Sequence, residues 1–184
     1  MTDRRGPDDA ARHAEPDADA DRDADARALA STLRLRILRL CLDEPLTNRE
    51  IAARLGRNPA TVLHHVRTLV DRGFLAAQPV RRGTRGAREV PYLATRRSWR
   101  ARGLPGQSRV LIDTFLEEVA LVDPDQVVTT RLGVRLDDTD YAELVDRVQE
   151  LFEEYAARAP TRGGRPYSLF FALHEDVTRD APSA

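Results

Sequence analysis

Apolar residues recur along the chain with two periods, and the period changes mark the elements. Over residues 27–43, Leu29, Leu33, Ile37, Leu40 and Cys41 fall on one side of a 3.6-residue helix. Leu35, Leu38 and Leu42 make a second stripe on another side. Two stripes predict a helix buried on two sides, one against its own domain and one against a partner subunit, and Pro45 stops it.

The stretch from Thr47 to Val70 carries the densest set of boundary signals. Thr47 and Glu50 have capping-box spacing, which lets each side chain bond the other residue's backbone N–H. Ile51, Ala52 and Leu55 then face inward, and Gly56 is placed to end the helix in a left-handed conformation. Asn58 is positioned to cap a second helix and Pro59 to fill its first turn. Two short helices joined by a Gly-containing turn are the helix-turn-helix pattern. In the second helix, predicted over 59–72, Val62, Val66, Leu69 and Val70 form the core face. At about 100° per residue the opposite face carries Ala60, Thr61, His64, Arg67 and Thr68. That face is small, polar or basic and holds no acid, which suits base edges in a DNA groove. His65 and Leu63 fall on the flanks, where His65 reads as a packing residue.

Gly73 ends this helix. Residues 74–80 and 90–94 have strand-type composition around a tip rich in Arg and Gly, which predicts a β-hairpin. Arg81, Arg82, Arg85 and Arg88 crowd that tip, and a basic hairpin after a recognition helix is expected to act as a wing on phosphates. Thr47, Arg57 and Asn58, beside the helix starts, are expected to join it on the backbone. A basic connector around Trp99 leads to Gly103, Pro105 and Gly106, where we expect the domain boundary. Beyond it the period alternates between helix, strand, helix and strand. Val110, Leu111, Phe115 and Val122 follow a helix over 107–122. Residues 126–136 alternate, a long helix opens at Asp137 or Asp138 and runs to about Arg158, and Tyr167, Leu169, Phe171 and Leu173 alternate again. The fold class expected is α+β: a winged helix-turn-helix domain followed by a small α-β-α-β segment.

Charge sharpens this division. The whole chain has 184 residues and a net charge of −1. Residues 1–26 hold 4 Arg and 9 acids, net −5; residues 27–103 hold 17 Arg and 5 acids, net +12; residues 104–184 hold 8 Arg and 16 acids, net −8. A +12 segment between two acidic ones marks a polyanion-binding unit. The expected layout is an acidic disordered tail over 1–26, a DNA-binding domain over 27–103, a dimerisation or ligand-sensing segment over 104–176 and a flexible tail over 177–184. All basic residues are arginine, the better bidentate partner for phosphate and guanine. A single cysteine excludes an intrachain disulfide. With neither a signal-type segment nor a membrane-spanning apolar run, a cytoplasmic, nucleoid-associated protein is expected.

Residues 28–94 resemble the winged helix-turn-helix regulators of the ArsR-like group. The resemblance rests on Leu33, Ile37 and Leu40, then Leu46-Thr47 and Glu50-Ile51-Ala52, then Thr61-Val62, His64-His65-Val66 and Leu69, and finally Gly73-Phe74-Leu75. The back half resembles the appended segment of some actinobacterial members. The resemblance implies a homodimer whose two recognition helices meet double-stranded DNA at a near-palindromic site, and hence a transcriptional repressor. Leu35, Leu38, Leu42, Leu111 and Phe115 are the expected dimer contacts. Metal-sensing members of the group carry paired cysteines or Asp/His sets. Cys41 stands alone and helix 107–122 has Asp113, Glu117 and Glu118 but no His, so neither a metal nor another cofactor is expected. An alternative is a ligand-responsive regulator, in which Trp99, Phe115, Tyr141, Phe152 and Tyr155 line a pocket for a small apolar effector. An enzyme is not expected: His13, His64, His65 and His174 have no nucleophile or acid at catalytic spacing.

Overall fold

The computed structural model describes residues 15–83, 86–101, 103–104 and 106–179. The chain divides into two units between Leu121 and Val122. This boundary lies well after the Gly/Pro cluster at 103–106 where the composition placed it. Leu104 is buried in the N-terminal core, and helix α6 (Gln107–Val119) packs on α2 (Thr32–Leu40) of the same chain. Arg36–Glu117 and Arg39–Glu118 ion pairs, at 3.7 and 2.9 Å, flank that packing. Gly and Pro mark a turn; whether a turn is also a domain boundary depends on what the next element packs against.

The N-terminal unit opens with α1 (Glu15–Leu29), where a disordered tail was expected up to residue 26. The stretch has little apolar surface to bury, but the buried carboxylate of Asp25 accepts from Arg72 Nε at 2.8 Å, Arg72 Nη2 at 2.6 Å and Arg97 Nη2 at 2.8 Å. Charge-assisted bonds of this kind fasten a helix that burial alone would not. The expected tail over residues 1–14 lies outside the described residues, as does most of the expected tail at the C-terminus. The single helix expected over 27–43 is interrupted. Ser31 leaves the helix with extended backbone and its side chain accepts from Arg34 N, starting α2 afresh. Arg34 reaches back to the carbonyl oxygens of Arg27 and Ala28, two of the acceptors that the end of α1 leaves without intrahelical partners.

The helix-turn-helix follows its sequence signals closely. α3 (Asn48–Leu55) carries the full Thr47–Glu50 capping box and ends at Gly56 with φ of 60°. α4 (Pro59–Asp71) is capped by Asn58, whose side chain accepts from Ala60 N at 2.8 Å, and has Pro59 in its first turn. Asn48 Nδ2 donates to Pro59 O at 2.9 Å and so ties the start of one helix to the start of the next. Val62, Val66 and Leu69 of α4 are buried with Ile37, Cys41, Ile51, Phe74 and Leu75, the centre of a single core.

Strands β2 (Leu75–Ala77) and β5 (Pro91–Ala94) pair antiparallel, as the hairpin pattern predicts. A two-residue strand β1 (Leu46–Thr47), too short to show a period, adds to the other side of β5, giving the order β1-β5-β2. The wing tip forms its own two-stranded sheet, β3 (Arg81–Arg82) with β4 (Arg88–Glu89). α5 (Arg97–Arg100) follows the sheet and carries Trp99.

The C-terminal unit contains a 3-10 turn at Pro124–Gln126 and the long helix α7 (Asp138–Ala157), capped by Asp137 as expected. The two strands expected over 126–136 and 167–173 do not form: among the described residues no strand follows Ala94. Alternation only sorts side chains to two faces. A strand also needs a neighbouring edge for its N–H and C=O groups, and a core for one face. Here neither face is packed, with Val128 at 97% and Leu132 at 79% exposure. The α+β class therefore rests on the N-terminal sheets and helices, and the α-β-α-β pattern is not seen. No helix of the described residues is long and apolar enough to cross a membrane.

Candidate nucleic-acid interface

Helix α4 has one buried and one open side. Opposite the Val62–Val66–Leu69 core stripe, Ala60, Thr61, His64 and Arg67 are exposed and Thr68 is half-buried. All five side chains expected to read bases thus lie on the solvent side of one helix. Thr68 Oγ1 donates to the carbonyl of His64 at 3.1 Å, a local side-chain-to-backbone bond within the helix. From Pro59 to Val70 the helix contains no acid. His65, by contrast, is half-buried with Nδ1 3.4 Å from Arg34 Nη1. Burial, with the positive charges of Arg34 and then His64 adding to it, pushes its imidazole below the ordinary histidine range, which keeps it neutral and suited to packing.

The backbone-contact residues divide. Arg57 and Asn58 are exposed at the turn between α3 and α4, Asn58 with one oxygen used as a cap. Arg82 and Arg88 are exposed and directly opposite each other in the wing register. Arg85 lies outside the described residues. Thr47 departs from the expectation: it is buried, and its hydroxyl donates to Glu50 Oε2 at 2.8 Å while accepting from Glu50 N. It is a helix cap with nothing left to offer a phosphate. Glu50 is held below the usual carboxylate range, first by the Thr47 backbone N–H and then by the Thr47 hydroxyl and Arg81. Arg81 is also committed, donating through Nη2 to both Glu50 oxygens at 2.5 and 2.6 Å. Arg81 therefore differs from the phosphate contact expected of it, because the fold brings Glu50, 31 positions away, to its guanidinium.

Among the expected dimer contacts, Leu38 is buried in the core of its own chain and has no surface for a partner. Leu35 and Phe115 are half-buried, whereas Leu42 and Leu111 are exposed, and Ile112 and Leu116 beside Leu111 extend an open apolar face on α6. Of the aromatic residues considered for an effector pocket, Tyr141 and Tyr155 are about half exposed, at 52% and 55%.

Cys41 is fully buried, and burial pushes its thiol up to about 12. A thiol held protonated is a poor nucleophile and a poor metal ligand. The folded protein is therefore expected to resist iodoacetamide at pH 8, and to take up one equivalent once unfolded in urea, as read by mass spectrometry. Rapid labelling of the native state would contradict a core role.

Comparison with known proteins agrees with this geometry. Residues 29–78 match the family model described as a helix-turn-helix domain, spanning the end of α1 through β2. No curated protein matches. Solved structures similar to the chain include reduced HlyU from Vibrio cholerae, at 21% identity over 55% of this chain and 93% of that one, with a TM-score of 0.38. A ZitR variant from Lactococcus lactis is 21% identical over 68% of this chain and 74% of that one, with a TM-score of 0.32. A MepR variant from S. aureus is 12% identical over 83% and 99%, with a TM-score of 0.35. None of these three bears on what this chain binds. The matched residues are a helix-turn-helix domain, and the three-stranded sheet with the β3–β4 wing completes a winged helix-turn-helix fold in the N-terminal unit.

Proposed function

We propose that the chain is a homodimeric repressor that reads an inverted repeat in double-stranded DNA. The observation that carries this reading is the open face of α4, small, polar and basic, with no acid between Pro59 and Val70, in a unit that also exposes Arg82 and Arg88 on its wing. Ala60, Thr61, His64, Arg67 and Thr68 contact base edges; Arg67 is the one among them able to donate two parallel bonds to guanine. Arg57, Asn58, Arg82, Arg88 and Arg85 contact phosphates, which fix register without reading sequence. The domain that does this, expected over residues 27–103, lies within the N-terminal unit that runs to Leu121. Leu35, Leu42, Leu111 and Phe115 form the contact with a second copy, supported by the open apolar face of α6. A two-fold dimer presents two recognition helices about one DNA turn apart, roughly 34 Å. Repression follows from occupying a promoter, and the protein works where the chromosome is, in the cytoplasm.

The test is the salt dependence of binding to a duplex carrying the DNA upstream of the protein's own gene. Neutralising several phosphates makes log K fall steeply with log salt, by about 0.9 per contact. Arg82→Ala or Arg88→Ala is expected to weaken binding to every sequence alike and to lower that slope by about one per site. A wild-type protein with no measurable binding at low salt would overturn the proposal.

A further inference from the structure

The wing tip is a very small sheet. β3 and β4 contribute two residue pairs and are not part of the three-stranded sheet below them. Isolated two-stranded hairpins are marginal in water even when longer than this. Something besides its own ladder has to hold the tip against the helices.

Four side chains of alternating charge bridge the wing and α3. Arg81 Nη2 donates to both oxygens of Glu50 on α3, at 2.5 and 2.6 Å. Glu89, opposite Arg81 in the register, accepts from Arg49 Nη2 on α3 at 2.6 Å, and its second oxygen lies 3.9 Å from Arg81 Nε. The path therefore runs from Arg49 to Glu89, to Arg81, to Glu50, and from Glu50 into the backbone at Thr47. Glu89 is the least exposed of the four, at 17% of its side chain. Its carboxylate lies over Gly83, where an added Cβ would overlap it. Gly83 has no left-handed backbone to justify a glycine, so the space above it is what an alanine would change.

We propose that Arg49, Glu50, Arg81 and Glu89 form a clamp that fixes the wing against α3, making Arg49 and Arg81 positioning residues for DNA binding and not phosphate contacts. This rests on the DNA-binding reading above. The clamp sets the angle at which Arg82 and Arg88 reach the backbone while α4 lies in the groove. The two acids are then required by the interface even though they lie beside a polyanion.

That requirement gives an unusual sign. Removing an acid from a DNA-binding face strengthens binding if the acid merely repels phosphate. With a clamp, Glu89→Gln weakens binding about fivefold, the size of one well-placed ion pair. Gly83→Ala, which changes no charge, is expected to weaken it by a similar factor. Arg81→Gln lowers affinity and leaves the salt slope at the wild-type value, whereas Arg82→Gln in the same titration lowers the slope by about one. In the free protein, amide hydrogen exchange at residues 81–82 and 86–89 should accelerate in Glu89→Gln and Gly83→Ala. Binding as tight as or tighter than wild type in either variant, a slope lowered by about one in Arg81→Gln, or unchanged exchange would overturn the clamp. If exchange accelerates but the wild-type protein binds no DNA, the DNA reading fails and the clamp stands as what orders the wing.

Discussion

Phe74→Ala is expected to lower the unfolding free energy by about 3–5 kcal/mol. Phe74 is 1% exposed and follows directly on the turn that ends α4. Its N–H donates to Leu69 O at 2.8 Å and its carbonyl accepts from Thr95 N at 3.0 Å, so the backbone cannot easily close over a missing ring. The ring shares one core with Ile37, Ile51 and Leu69, and the Arg97 guanidinium lies over it at 5.3 Å from the centroid. Arg97 also donates to Arg72 O and to Asp25, which joins the ring to the end of α4 and to α1. A cavity here loosens three elements together. Total stabilities of small domains are about 5–15 kcal/mol, so this loss leaves a marginal fold. Urea unfolding should show a lower midpoint with an unchanged slope. Leu121→Ala, at a side chain 78% exposed, is the control and should shift stability by less than about 0.5 kcal/mol. A Phe74→Ala shift no larger than that control would mean the core is not centred where it is described.

The second large effect concerns discrimination rather than stability. His64→Ala and Arg67→Ala are each expected to cost about 1–3 kcal/mol of preference for the specific site over unrelated DNA. Both side chains are exposed and off the core stripe, so melting should hardly change. Arg67 carries a charge as well, and its loss should also weaken unspecific binding; His64 should act on the specific site alone. The useful quantity is the ratio of the two affinities at one salt concentration. Variants at Arg82 or Arg88 should leave that ratio nearly unchanged. A ratio that is flat in His64→Ala and Arg67→Ala but altered by the wing would move sequence reading from α4 to the hairpin.

How far the residues alone predict these features depends on the range of the interaction. Local signals carried well. The Thr47–Glu50 box, Gly56, Asn58 and Pro59 each act within four residues, and each is seen in its expected role. The inward and outward sides of α4 followed from helix period because one packed core imposes it. Signals that depend on a distant partner did not carry. Asp25 is 47 positions from Arg72 and 72 from Arg97, so an acidic stretch that reads as a tail is a fastened helix. Leu38 reads as a partner contact only while its own core is unknown. The commitment of Arg81 to Glu50 depends on the fold bringing the wing to α3. In the C-terminal unit the alternation at 128–136 and 167–173 is genuine in the sequence, but without a neighbouring edge it makes no strand.

In the proposed function α4 reads a defined sequence in double-stranded DNA. The most direct measurement is a nuclease-protection footprint of the full chain on the DNA upstream of its own gene. The account predicts a discrete protected region over an inverted repeat, with half-sites about 10 base pairs apart centre to centre, that His64→Ala weakens while unspecific binding persists. Uniform protection along the fragment, or a footprint indifferent to both His64→Ala and Arg67→Ala, would contradict it.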